Sequence, residues 1–308
     1  MKVFPSLTRR GIIARLIIYP ILLFVLLAII PLYFYSHPPR HSPDITPAQY
    51  SCQYEVISFK SSDGVNLQGW LIPRFIREDE SLKPRAIITL CHGYGASKAD
   101  LLDIAAALAQ AGFHILLFDF RRHGESSGSI SSIGYLEQLD LQAAINYIKG
   151  QKGLRGLKIG VYGFSMGAAV AIMTASSSSE IKAIVADSSY TNLEIMAIRT
   201  FGSQYHLPSF PFIQLTRALY RAYFGISLAE SSPLEKIKLL KGIPVFVING
   251  GKDPRVTLEN AHQLFTAAPG EKRIWIVPQA SHGETYLLAG KEYERALIGF
   301  FKKYLMKE

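Results

Sequence analysis

From about residue 55 onward, short apolar runs alternate with longer stretches in which apolar positions recur at helical spacing. Residues 55–59 and 67–72 flank Ser61-Ser62-Asp63-Gly64, a turn sequence, and predict an opening antiparallel hairpin. The runs 86–91, 114–118, 157–162, 181–186, 244–249 and 273–277 predict further strands, the first of them apolar enough to be buried on both faces. Between them, 99–110, 133–149, 166–176 and 286–305 read as helices, and Gly112 supplies a stop for the first. This alternation predicts an α/β fold, a mostly parallel central sheet with helices on both faces joined by right-handed crossovers. The interval 188–232 breaks the rhythm. It has no clear strand but many rings: Phe201, Tyr205, Phe210, Phe212, Tyr220, Tyr223 and Phe224. A small helical lid inserted over the sheet accounts for them, as does plain packing against the main core.

The amino terminus follows another pattern. Residues 16–35 carry no charge, and at about 1.5 Å per helical residue they span a hydrocarbon core of about 30 Å. They predict one transmembrane helix, in which Pro20 is tolerable and Pro31 is expected to kink or end the span. A cleaved signal peptide is the alternative, but the run is long and no A-x-A-like site follows it; a buried core helix fits the extreme amino-terminal position poorly. Lys2, Arg9, Arg10 and Arg15 precede the run, whereas Arg40, His37 and His41 follow it. The positive-inside rule then leaves residues 1–15 in the cytoplasm, and a bacterial inner membrane suits a body on its far side. Residues 36–54 contain Pro38, Pro39, Pro43 and Pro47 and read as a stiff spacer, so the expected division is 1–15, 16–35, 36–54 and a catalytic body over 55–308.

Composition narrows the function classes. With 49% hydrophobic and 19% charged residues in 308, the chain buries a sizeable core and is not disordered. The formal charge is +9, but subtracting the four basic residues of the first fifteen leaves +5, spread without a basic run. Nucleic-acid binding is therefore not expected. Cys52 and Cys91 make neither a disulfide framework nor a metal cage, the eight histidines are scattered without an H-E-x-x-H, and no cofactor is implied.

The chemistry gathers at predicted strand ends. Gly163-Phe164-Ser165-Met166-Gly167 lies after a strand and before a helix, where a strained turn with small neighbours lifts a serine clear of the sheet. Acyl transfer through Ser165 needs a base and a carboxylate to orient it. Asp253 follows the strand at 244–249 and His282 the last strand, giving the order nucleophile, acid, base. His92 and His123 also occupy sheet-end loops but precede the serine, the wrong order. Asp187, ending the strand after the nucleophile helix, competes with Asp253 for the same imidazole. For the oxyanion, the Met166 N–H at the helix start is one expected donor and the Tyr94 N–H, in His92-Gly93-Tyr94-Gly95, the other.

In these motifs the sequence resembles the α/β-hydrolase superfamily over roughly residues 55–305, and it is similar to the small bacterial serine hydrolases and the BEM46-like and acyl-peptidase-like branches. The His-Gly oxyanion loop corresponds to His92-Gly93, and the D-x-R-G-H-G-x-S turn to Asp119, Arg121, His123, Gly124 and Ser126. The nucleophile elbow matches Gly163, Ser165 and Gly167, the acid motif Gly250, Asp253 and Val256, and the closing His-Gly His282-Gly283. Arg122 stands where the family has glycine, and Ser281 where glycine often precedes the histidine. The resemblance implies a membrane-anchored serine hydrolase of carboxylesterase type, acting on an ester, thioester or amide with a small-molecule or lipid-like acyl group. The same triad would serve an acyltransferase, and an idle hydrolase fold used as a tethered binding protein is the reading from another class.

Overall fold

A computed structural model describes residues 8–41, 44–75, 86–204, 206 and 208–306. Lys2 of the basic terminus, Ser42 and Pro43 of the spacer and Tyr205 of the aromatic interval lie outside them, as do the side chains of Arg10 and Phe201. The chain opens with α1 (Arg9–Ser36), a single helix that passes through both Pro20 and Pro31. Its stretch Ile12–Ser36 is the one helix among the described residues long and apolar enough to cross a membrane, with a mean hydropathy of 2.7. Pro31 does not end it, because the last turn is held from within and from outside: Ser36 Oγ donates to the Tyr33 carbonyl (3.0 Å), while the Tyr94 hydroxyl donates to the Phe34 carbonyl (3.0 Å) and the Ser131 N–H to the Ser36 carbonyl (2.8 Å). These are carbonyls that a helix end leaves without partners of its own.

The stretch after α1, expected as a spacer, also rests on the body. Arg40 donates to the Gly128 carbonyl at 2.7 Å, and Pro38 and Cys52 are buried. The antiparallel hairpin follows as β1 (Glu55–Lys60) and β2 (Asn66–Ile72). Then come β3 (Ala86–Cys91), α2 (Leu102–Gln110), β4 (His114–Phe118), α3 (Glu137–Gly150), β5 (Lys158–Phe164), α4 (Met166–Ala175) and β6 (Ile181–Asp187). After β6 the interval forms α5 (Leu193–Gln204) and α6 (Ser209–Phe224), and the chain closes with α7 (Pro233–Ile237), β7 (Val245–Gly250), α8 (Leu258–Ala267), β8 (Lys272–Val277) and α9 (Thr285–Leu305).

Among the described residues, all eight strands form one sheet in the order β1-β2-β4-β3-β5-β6-β7-β8, parallel from β4 to β8 with β2 antiparallel to β4. Strands β3 and β7 are buried along their whole length, as near-continuous apolar runs covered on both faces should be. One face packs on α3, α4 and α8 through residues such as Ile145, Val170 and Leu264. The other packs on α2 and α9 through Leu108, Leu297 and Phe301. A methyl on Gly160 would lie 2.7 Å from Leu305, so α9 sits directly on β5. The chain leaves β3 toward β4 on one side and returns to β5 on the other, and this reversal opens a crevice at the carboxyl ends of β3 and β5, where open sheets hold ligands.

Candidate active site

Ser165 sits between β5 and α4 with φ +52° and ψ −114°, a conformation that costs an L residue strain and that the surrounding backbone enforces. Gly163 and Gly167 make the turn possible. A Cβ on Gly163 would overlap the Gly167 carbonyl, and one on Gly167 the Cys91 carbonyl, so the elbow presses against the end of β3. Ser165 N–H donates to the Asp187 carbonyl at 2.8 Å, which ties the elbow to β6 as well. The serine is 8% exposed. Met166 is the first residue of α4, where a backbone N–H has no acceptor one turn earlier.

His282 and Asp253 arrive on loops at the far end of the sheet. Gly250 and Gly251 let the two loops touch, since a Cβ on either would overlap the Ala280 or the Pro278 carbonyl. Gly251 N–H donates to the Val277 carbonyl (2.8 Å) and Lys252 N–H to that of Ala280 (2.9 Å). Asn249 closes the acid loop from inside, its amide donating to the Gly250 and Val256 carbonyls at 2.9 Å each. Asp253 Oδ1 accepts the N–H groups of Arg255 (2.9 Å) and Val256 (2.8 Å), leaving Oδ2 for the imidazole. His282 Nδ1 lies 2.7 Å from Asp253 Oδ2 and its Nε2 3.1 Å from Ser165 Oγ. The carboxylate is fully buried and the imidazole 12% exposed, its ring lying on Phe164 with centroids 5.2 Å apart.

Asp187 does not share in this chain. Buried at the end of β6, it accepts hydrogen bonds from Thr285 and Tyr293 (2.6 Å each) and from Ser188 (2.9 Å). Burial raises its pKa above the ordinary carboxylate value, against the pull of those donors. The two earlier histidines are held elsewhere too. His92 Nε2 accepts the Phe120 N–H at 3.0 Å, which leaves Nδ1 to donate to the Gly93 carbonyl at 2.7 Å. His123 Nδ1 donates to the Arg121 carbonyl at 2.8 Å, and burial pulls its pKa down to about 3. Both are neutral rings that shape the loops around the site.

The loop His92–Gly95 lies against Ser165: a methyl on Gly93 would stand 2.9 Å from the Phe164 ring and 3.5 Å from Ser165 Cβ. The Tyr94 ring turns away, toward α1. Beneath it, Asp119 accepts from Lys98 N–H (2.7 Å), Lys98 Nζ (2.6 Å) and Glu125 N–H (2.9 Å), while Arg121 pairs with Asp140 and Asp63. Arg122 takes φ +64°, the left-handed region a glycine would occupy, and donates its N–H to the Ser127 carbonyl at 2.9 Å. The turn survives the substitution with an arginine carrying the strain. The pairings of Asn249 and Phe164 had no motif to announce them, and neither did those of Tyr293. No cluster of three metal-ligating side chains occurs among the described residues.

Comparison with known proteins agrees with this architecture. The serine aminopeptidase family S33 matches residues 82–206. The Mycobacterium tuberculosis protein Rv2307c is 30% identical over 233 residues, covering 75% of this chain and 73% of its own. Protein Bem46 of Schizosaccharomyces pombe is 26% identical over 263 residues, covering 83% and 79%. Among solved structures, the Pyrococcus furiosus esterase Pf2001 superposes with a TM-score of 0.71 at 28% identity, covering 87% of this chain and 99% of the esterase. By these likenesses, and by a mostly parallel eight-stranded sheet with a serine on its strand-to-helix elbow, the chain belongs to the α/β-hydrolase superfamily, as an esterase-like serine hydrolase related to Bem46.

Proposed function

We propose that the chain hydrolyses a carboxylic ester through an acyl-enzyme on Ser165, with His282 as base and Asp253 as the acid that orients it. The observation that carries this reading is one imidazole within hydrogen-bond distance of both the Ser165 hydroxyl and the Asp253 carboxylate. Asp253 accepts the Nδ1–H, so Nε2 is the basic nitrogen and faces Oγ. Oγ bonds to the substrate carbonyl carbon as its proton passes to Nε2, and the developing oxyanion is held by the N–H groups of Met166 and Tyr94. The imidazolium, stabilised by Asp253, then gives its proton to the departing alkoxide as the ester C–O bond breaks. Water repeats the sequence on the acyl-enzyme, releasing the acid and restoring Ser165. The esterase likeness at 28% identity supports an ester over an amide, and α1 supports an anchored enzyme acting on an acyl or lipid-like group.

Ser165→Ala should abolish labelling by a fluorophosphonate probe while the protein keeps its fold, because the hydroxyl is a reacting group and not a core contact. Gel fluorescence together with circular dichroism checks both halves. Labelling that persists in the mutant would move the nucleophile elsewhere.

A further inference from the structure

Helix α1 does not stand clear of the body. Residues 12–23 are exposed on every side, but from Phe24 onward one stripe of the helix is covered: Ala28, Pro31 and Ser36 are buried, and Leu32 packs on the cluster that contains Tyr220. The covering element is α6, which runs beside α1, and the Phe24 and Phe212 rings meet with centroids 4.8 Å apart. Twelve uncovered residues rise only about 18 Å, against a hydrocarbon core of about 30 Å. They cannot cross it alone, and any tilt shortens their reach.

A crossing needs about 20 residues. Wherever those begin between Ile12 and Leu16, they end between Pro31 and Tyr35, which leaves Phe24 about 10–16 Å below the outer boundary of the hydrocarbon. Phe212 lies at the same depth. The sequence agrees: residues 200–216, from the end of α5 to the middle of α6, contain no Asp, Glu, Lys or Arg. Phe210 is 71% exposed, with nothing among the described residues covering it. The charges resume at Arg217, which pairs with Glu194, and at Arg221, five and nine residues beyond Phe212 toward the body, where long cationic side chains reach the headgroups.

We propose that the amino-terminal half of α6 is immersed beside α1 in the outer leaflet, so that the body is held on the bilayer by two contacts and its site stands at the lipid–water boundary. The inference rests on α1 being a membrane anchor. Tyr94 makes the link to the site, since its backbone lies next to Gly93, against Ser165, while its hydroxyl holds the Phe34 carbonyl near the outer end of α1.

The test places single cysteines in the full-length protein in phosphatidylcholine vesicles, at Leu22→Cys, Phe210→Cys, Tyr223→Cys and Leu239→Cys, each labelled with NBD. All four positions are exposed, and Cys52 and Cys91 are buried and do not compete. Lipids bearing a doxyl group on the acyl chain should quench the label at 22 and at 210 at least twofold, that at 223 less, and that at 239 not at all. Quenching at 22 with position 210 behaving like 239 would overturn the immersion of α6 and leave the anchor standing. A label at 22 that stays in water would remove the anchor and this inference with it.

Discussion

Two buried carboxylates lie near the His282 loop, and their partners separate their tasks. Asp253 spends one oxygen on two backbone N–H groups and offers the other to the imidazole; Asp187 has three hydroxyl donors around it and no bond to His282. Asp253→Asn should therefore lower turnover of an activated ester by up to about 10⁴-fold, since an amide neither fixes the Nδ1–H tautomer nor stabilises the imidazolium. Asp187→Asn turns an NH₂ toward donors and should cost about 1–3 kcal/mol of stability, with turnover falling far less. Parallel ester assays and urea melts on the two mutants check this, and a collapse of turnover at Asp187 with Asp253 nearly silent would reverse the assignment. His123 adds a pH dependence. Its folded pKa, about 3, lies below the unfolded value of about 6.5. Between those values the unfolded chain binds the proton that the folded one refuses. The stability due to the neutral ring is thus fully present above about pH 6.5 and falls toward about pH 3, by about 1.4 kcal/mol per unit. His92, also lowered by burial, acts in the same direction. Urea melts from pH 7 to pH 4 should show a shallower acid decline for His123→Gln than for the unchanged protein.

At the scale of the elements, what was legible in the sequence was whatever local chemistry dictates. Apolar runs such as Ala86–Cys91 became fully buried strands, and Gly163 and Gly167 marked a turn where the backbone has no room for a side chain. The different surroundings of Asp253 and Asp187 were less legible, because Tyr293 and Thr285 reach Asp187 from about a hundred residues away. Helix boundaries shifted too: residues 133–136, Ile-Gly-Tyr-Leu, are expected at the start of a helix, but Ile133 and Gly134 take positive φ, and Ser131, Ser132 and the Gly134 N–H wrap around the Glu137 carboxylate, so α3 starts only at Glu137. The turn at Arg122 shows local preference overruled outright. A non-glycine residue in the left-handed region costs about 1–2 kcal/mol, and glycine's extra freedom in the unfolded chain returns part of that. Arg122→Gly should accordingly stabilise the protein by about 0.5–1 kcal/mol, read as a rise in the urea midpoint with an unchanged slope. A fall in the midpoint would mean that the arginine side chain contributes more than its backbone costs.

For the whole molecule, a run that is apolar on all sides carries no signal of which face meets protein, so the seating of α1 on α6 and on the Tyr94 loop was not legible in the sequence. Those contacts bear on topology. With Phe34 and Ser36 bonded to Tyr94 and Ser131, an α1 that spans a membrane, as proposed, would put its carboxyl end and the loops around Ser165 on one side of the bilayer. Which side follows from charge. Lys2, Arg9, Arg10 and Arg15 precede the apolar run with no acid among them, whereas Arg40, just beyond it, is occupied in binding the Gly128 carbonyl. Lys and Arg near a span are retained on the cytoplasmic side, so the amino terminus should stay inside and the body outside. Alkaline phosphatase fused after Glu308 should then be active, and a fluorescent protein that matures only in the cytoplasm should be dark at the same position. Changing Arg9, Arg10 and Arg15 together to Ser, with two lysines added next to Arg40, should weaken or invert that pattern. A bright cytoplasmic reporter on the unchanged chain would place Ser165 on the inner face and reverse the orientation proposed from the charges.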